Sequence, residues 1–237
     1  MLANFTSRAL RVGAAVFAAL VAVPLCIAGL AFATPASAGE RQPFRFDDML
    51  DLASVVDAQA SPKGEAVVIT VKAYDPKEKT WGTHLEIVRP GQRLRLTASA
   101  AGEHSADWSP DGQQVAFLSS RDGETAIYAI PINGGEATKL VDLPVGGTAL
   151  RWIPDGSGFI FAAKVFEACG ADFACTKKKQ DEKKDSGVTA LVYDDLLMRP
   201  WSFWRDGRVQ HVFRYRLATK AFDDLTPGDA DVPPLAF

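Results

Sequence analysis

The sequence predicts an all-β fold, a partial β-propeller of about three four-stranded blades with a long insertion in the third, and two observations carry that expectation. The first is a recurring motif. Ala60-Ser61-Pro62-Lys63-Gly64 returns as Trp108-Ser109-Pro110-Asp111-Gly112 and again as Trp152-Ile153-Pro154-Asp155-Gly156, at spacings of 48 and 44 residues. Self-similarity at such a period, filled with short strands, is the mark of propeller blades. The second is an apolar run soon after each motif, at residues 66–71, 115–118 and 159–163. Nearly continuous apolar runs of this length suit strands covered on both faces.

Within the motif, proline presets φ at the first corner of a tight turn, aspartate caps the turn through its side chain, and glycine takes the positive-φ position. The second repeat reads most cleanly. A strand ends at Trp108 and residues 115–118 form the next. Arg121-Asp122-Gly123 turns, residues 127–130 extend, Asn133-Gly134-Gly135 turns, and residues 138–141 close the unit. The first repeat has the same plan, with turns at Asp75-Pro76 and Pro90-Gly91 and strands over 84–88 and 93–97. Ahead of it, Phe46, Met49, Leu50 and Ala53 have helical spacing and predict one short helix over 46–56.

The third repeat is interrupted. Its next hairpin resumes near Val209, after an insertion over about 164–208. The insertion carries Cys169 and Cys175 in a segment that reads as a loop, then a mixed-sign charge run over 177–185 that reads as a solvated loop. Long insertions of this kind gather at one face of a propeller. The repeat closes with strands over 209–215 and 222–226 about a turn at Thr219-Lys220. Three blades do not close a ring, so the isolated chain is expected to expose open sheet faces and to self-associate.

The first 38 residues read as a secretory signal peptide. Arg8 and Arg11 give a positive start, no charge occurs from Val12 to Gly39, and Ala36-Ser37-Ala38 marks cleavage between Ala38 and Gly39. The mature domain then spans 39–237, is periplasmic or secreted, and meets the membrane only transiently through the signal. Cys26 leaves with it. In an oxidising compartment Cys169 and Cys175 are expected to form a local disulfide. No metal site is expected, because His84, His104 and His211 are scattered without ligand spacing. A formal charge of −3 argues against nucleic acid as a partner. No cofactor motif is present.

The stretch from Ser109-Pro110-Asp111-Gly112 through Leu140 resembles the propeller repeats of TolB-like proteins and of prolyl-oligopeptidase-family serine peptidases. The third repeat separates the two. Val165 to Cys169, Tyr193-Asp194 through Arg199-Pro200-Trp201, and Trp204-Arg205-Asp206-Gly207-Arg208 resemble bacterial dipeptidyl and acylaminoacyl peptidases of the second family. That resemblance implies a propeller set over an α/β-hydrolase domain, which this sequence lacks. No G-x-S-x-G nucleophile elbow occurs, Gly156-Ser157-Gly158 being the nearest approach, so no residue here is expected to be catalytic. The resemblance further implies a gating role that admits peptide substrates to a hydrolase domain outside this sequence. Glu167 is the first candidate for holding a substrate amine, with Asp194 and Asp195 behind it. Arg199 and Trp201 are candidates for the substrate cleft, and Phe203 and Trp204 for its lining. The alternative is a stand-alone TolB-like scaffold that binds envelope proteins.

Overall fold

Three antiparallel four-stranded sheets succeed one another along the chain. Blade 1 comprises β1 (Ser54–Ala60), β2 (Val67–Asp75), β3 (Thr80–Arg89) and β4 (Gln92–Arg95). Blade 2 comprises β5 (Glu103–Trp108), β6 (Gln114–Ser119), β7 (Ala126–Pro131) and β8 (Thr138–Asp142). Blade 3 comprises β9 (Thr148–Trp152), β10 (Gly158–Val165), β11 (Val209–Arg216) and β12 (Ala221–Asp224). The computed structural model describes residues 43–99, 101–188, 190, 192–193 and 204–232. The chain divides into units Met1–Arg45 and Phe46–Phe237, and all three blades lie in the second. The expected signal peptide and its cleavage site at Ala38 and Gly39 lie outside the described residues.

Each sheet is a meander, its strands paired in sequence order, and the leading strands β1, β5 and β9 neighbour one another. This is the radial stacking of a partial β-propeller. The repeated motif builds the same turn three times. Gly64, Gly112 and Gly156 sit at φ of 72°, 71° and 75°. Their amides donate to the carbonyls of Ser61, Ser109 and Ile153 at 2.9, 2.8 and 2.8 Å. Asp111 and Asp155 accept the amides of Gln113 and Ser157 at 3.0 and 2.8 Å, the capping role expected of them.

Blade 2 is covered on both sides, and β6 and β7 are buried along nearly their whole length. Strand β11 of blade 3 alternates buried and half-buried residues instead, the pattern of a sheet covered on one face. Val68, Leu85, Ile87, Trp108, Phe117 and Tyr128 belong to the core between blades 1 and 2. Phe159, Phe161, Phe173, Phe213 and Tyr215 belong to the core between blades 2 and 3.

Two local expectations are corrected. In place of a helix over 46–56 there is a 3-10 turn at Asp47–Met49, and β1 begins at Ser54. Val55 and Val56 are β-branched, and register with Val71 and its neighbours across the sheet outweighs the weak helical spacing. The charge run over 177–185 is not a loop but most of a helix, α1 (Phe173–Asp185). Cys169 likewise lies in a 3-10 turn (Glu167–Cys169) and Cys175 in the first turn of α1, rather than in a loop.

Candidate binding face

In a meander, the turns joining first to second and third to fourth strands lie at one end of the sheet. The second-to-third turn and the link to the next sheet lie at the other. The repeated glycine turns therefore share one end of the blades. The insertion joins β10 to β11, so it shares the opposite end with the β2–β3 and β6–β7 turns and with both links between blades.

The helix of the insertion is fixed by groups at its start. Asp172 is its N-cap and accepts the Cys175 amide at 2.9 Å. Cys169 and Cys175 are disulfide-bonded, with Cα atoms 5.6 Å apart. Phe173 is buried, its ring centroid 4.9 Å from that of Phe213 and 4.7 Å from that of Phe222. Beyond this anchor the helix is charged on most positions. Lys177 and Lys178 pair with Asp181 and Glu182 at 3.2 and 3.8 Å, one helical turn on. Lys177 also lies 3.9 Å from Glu124 of the β6–β7 turn, and a groove of about 490 Å³ runs between that turn and the helix.

Glu167 opens the 3-10 turn immediately after β10 and is exposed. Among the described residues its carboxylate has no hydrogen-bond or ion-pair partner. Arg199, Trp201, Asp194, Asp195 and Phe203 lie outside the described residues. The insertion's flanks meet, however. The rings of Tyr193 and Trp204 stack at 5.9 Å, and the Tyr193 hydroxyl donates to the Arg205 carbonyl at 2.7 Å. Arg205 reaches Asp231 at 2.9 Å. Gly207, at φ 88°, makes the turn into β11. There, burial pushes the Asp206 carboxyl up, but hydrogen bonds from the Arg208 side chain and amide outweigh it and hold the group below the usual carboxylate range.

Behind this face lies a buried charged group that the sequence pattern did not single out. Glu103, fully buried at the start of β5, accepts from the Thr97 hydroxyl at 3.0 Å and from Arg121 at 2.9 Å. The Arg121 guanidinium sits 5.2 Å from the Phe117 ring and 4.8 Å from that of Tyr128. Burial raises the Glu103 carboxyl above its ordinary value, and Thr97 and Arg121 oppose that only in part. Burial and the Asp122 carboxylate push the Tyr128 hydroxyl up to about 12. This network ties the link between blades 1 and 2 to the β6–β7 turn, and hence to the turn that meets α1.

His211 is also buried, its Nδ1 2.7 Å from Asp224 and its Nε2 2.8 Å from the Gly228 carbonyl. His84 pairs with Glu86, so these two histidines are committed within the fold. No group of three or more His, Cys, Asp or Glu among the described residues is arranged to hold a metal ion, and no described helix is long and apolar enough to cross a membrane. Gly158 has a packing role. A Cβ there would overlap the Tyr215 carbonyl oxygen, so the glycine that ends the Gly156-Ser157-Gly158 sequence admits a backbone rather than serving a nucleophile.

No family model matches the chain. An uncharacterised peptidase of Bacillus subtilis, YuxL, is 29% identical over 150 residues, which is 62% of this chain and 23% of the relative. Dipeptidyl-peptidase 5 of Porphyromonas endodontalis is 24% identical over 222 residues, 91% of this chain and 31% of the relative. Among solved structures, the acylaminoacyl peptidase of Pyrococcus horikoshii superposes with a TM-score of 0.55 at 13% identity, covering 76% of this chain and 26% of that one, which shows a shared fold. The chain thus spans less than a third of the length of these curated relatives. It is similar to the propeller part of prolyl-oligopeptidase-family peptidases, as its third repeat implied.

Proposed function

We propose that this chain is the substrate-gating propeller segment of a secreted or periplasmic serine exopeptidase, acting on peptides together with a hydrolase domain outside this sequence. The observation that carries the reading is the match to a dipeptidyl-peptidase, which takes in 91% of this chain but only 31% of the relative. The charged start, apolar run and Ala36-Ser37-Ala38 of the first 38 residues support export. The insertion supports a selecting role. It gathers at one end of the blades, is anchored by Phe173 and the disulfide, and presents the exposed Glu167 carboxylate, which has no partner among the described residues. A carboxylate in such a place holds a substrate's terminal ammonium by a charge-assisted hydrogen bond, and the family resemblance makes Arg199 and Trp201 candidates for the same cleft.

Steady-state kinetics on the complete polypeptide tests the assignment. Glu167→Gln is expected to raise KM at least tenfold for dipeptide substrates with a free amino terminus and to leave N-acylated substrates unchanged. An equal effect on both removes Glu167 from amine recognition. A complete polypeptide without peptidase activity turns the reading to the binding-scaffold alternative.

A further inference from the structure

The hairpin of blade 1 outgrows its counterpart in blade 2. Strands β2 and β3 have 9 and 10 residues, whereas β6 and β7 have 6 each. The overhang rises at the same end of the blades as the insertion and changes character as it does so. Val68, Leu85 and Ile87 are buried near its base, whereas Lys72, Tyr74, Thr80 and His84 mark the upper part. Between the overhang and the link to blade 2 lies a cavity of about 310 Å³, lined among others by Tyr74, Lys77, Glu78, His84, Arg95 and Ser99.

Charge within this part of blade 1 is unevenly matched. Glu86 accepts from His84 at 2.8 Å and is bridged by Arg93. Burial pushes the Glu86 carboxyl up, yet the bonds from Arg93 and His84 outweigh that and hold it below the usual range, so this carboxylate is already committed. Arg95 stands directly opposite Glu86 in the strand register but donates its Nε to the Thr97 carbonyl at 2.9 Å instead. That bond fixes the plane of the guanidinium. Two carboxylates, Asp75 and Glu78, share the cavity lining with Lys77 and Arg95. Asp75 accepts the amides of Lys77 and Glu78 at 2.8 and 3.3 Å, and neither acid forms an ion pair with Arg95 among the described residues. Among the described residues neither Arg95 nor Lys77 makes an ion pair. A guanidinium held in one plane at the wall of a cavity, with no ion pair among the described residues, is suited to bidentate recognition of a carboxylate.

We propose that this cavity is a second peptide site, in which Arg95 receives the terminal carboxylate of a short peptide and Lys77 on the overhang adds a second cation. The choice of a peptide as ligand rests on the proposed function, but the site itself is independent of Glu167 and of the insertion face, and the binding test needs no peptidase activity. The two sites take opposite ends of a peptide and lie on different blades.

The test is a titration of the chain with the dipeptide Ala-Ala and with Ala-Ala amide, read by isothermal calorimetry. Saturable binding of Ala-Ala, at least tenfold weaker binding of the amide, and a tenfold or greater loss on Arg95→Gln are expected. Arg93→Gln, which removes the guanidinium already committed to Glu86, is expected to leave binding intact, and circular dichroism checks that each variant is folded. No saturable binding of Ala-Ala, equal binding of the amide, or retention of affinity by a folded Arg95→Gln would overturn the proposal.

Discussion

Between blades 1 and 2 the buried layer includes a carboxylate, a guanidinium and a threonine hydroxyl; between blades 2 and 3 it is built round a cluster of aromatic rings. Glu103, Thr97 and Arg121 form the first, with Trp108 reaching across to donate its indole Nε1 to the Gln59 carbonyl at 2.9 Å. Phe161, Phe173, Phe213 and Phe222 form the second. There the equivalent tryptophan, Trp152, leaves its Nε1 buried without a hydrogen-bond partner among the described residues. The contact between leading strands is made instead by Asp107, whose Oδ2 accepts the Trp152 amide at 2.7 Å, and by Ser105, which accepts the Ala149 amide at 3.1 Å. One repeated motif therefore supports two junctions of different chemistry. The turn is set by local dihedral demands, while each junction is set by which side chains face one another across the blades.

That contrast makes ordered predictions about stability. Phe213 is fully buried at the aromatic junction, so Phe213→Ala should cost about 3–5 kcal/mol in chemical denaturation. Glu103→Ala strands Arg121 against two rings and a vacated polar site, and a loss of about 3 kcal/mol is expected from the same measurement. Removing the disulfide with paired Cys169→Ser and Cys175→Ser should cost about 2 kcal/mol or less, because the loop it closes is short, and should show as faster amide exchange in α1. The smallest effects separate the tryptophans. Trp108→Phe should cost about 1 kcal/mol for its lost hydrogen bond, while Trp152→Phe should be neutral or slightly stabilising, since the group it deletes is unsatisfied. If the two tryptophan substitutions cost the same, the junctions do not differ as described.

Two carboxylates sharpen the comparison through pH. Glu103 has a raised value, so the folded protein keeps its proton to a higher pH than the unfolded chain does. Its contribution is complete below the ordinary carboxylate value and is lost as pH rises through the raised one. Glu86 is lowered, so its contribution is present above the ordinary value and is lost as pH falls through the lowered one. Glu103→Gln should therefore flatten the stability profile on the upper side of the carboxylate range and Glu86→Gln on the acid side, as read from denaturation midpoints across pH.

The repeat was legible because its cause is local. Proline, aspartate and glycine at fixed offsets specify a turn whatever surrounds them, and the three turns match. Continuous apolar runs predicted strands covered on both faces, which holds for blade 2 and less so for blade 3, where one face has no neighbouring blade among the described residues. Helix α1 was misread because its charges hide the usual amphipathic stripe. The available signals were Asp172 as an N-cap and Lys177 and Lys178 placed four residues before Asp181 and Glu182. The Glu103 network had no signal of that kind, since Thr97 and Arg121 reach it only through the stacking of two blades. Of the candidate site, Glu167 was singled out only through the resemblance of the third repeat, while nothing in the spacing marked Arg95 or the overhang of blade 1.

The central proposal, that this chain acts as the propeller part of a peptidase, is tested most directly by reading the coding sequence downstream of the Phe237 codon. The account predicts further four-stranded repeats and then a G-x-S-x-G nucleophile elbow, in this frame or after a frameshift. A downstream sequence with neither repeats nor elbow would contradict it.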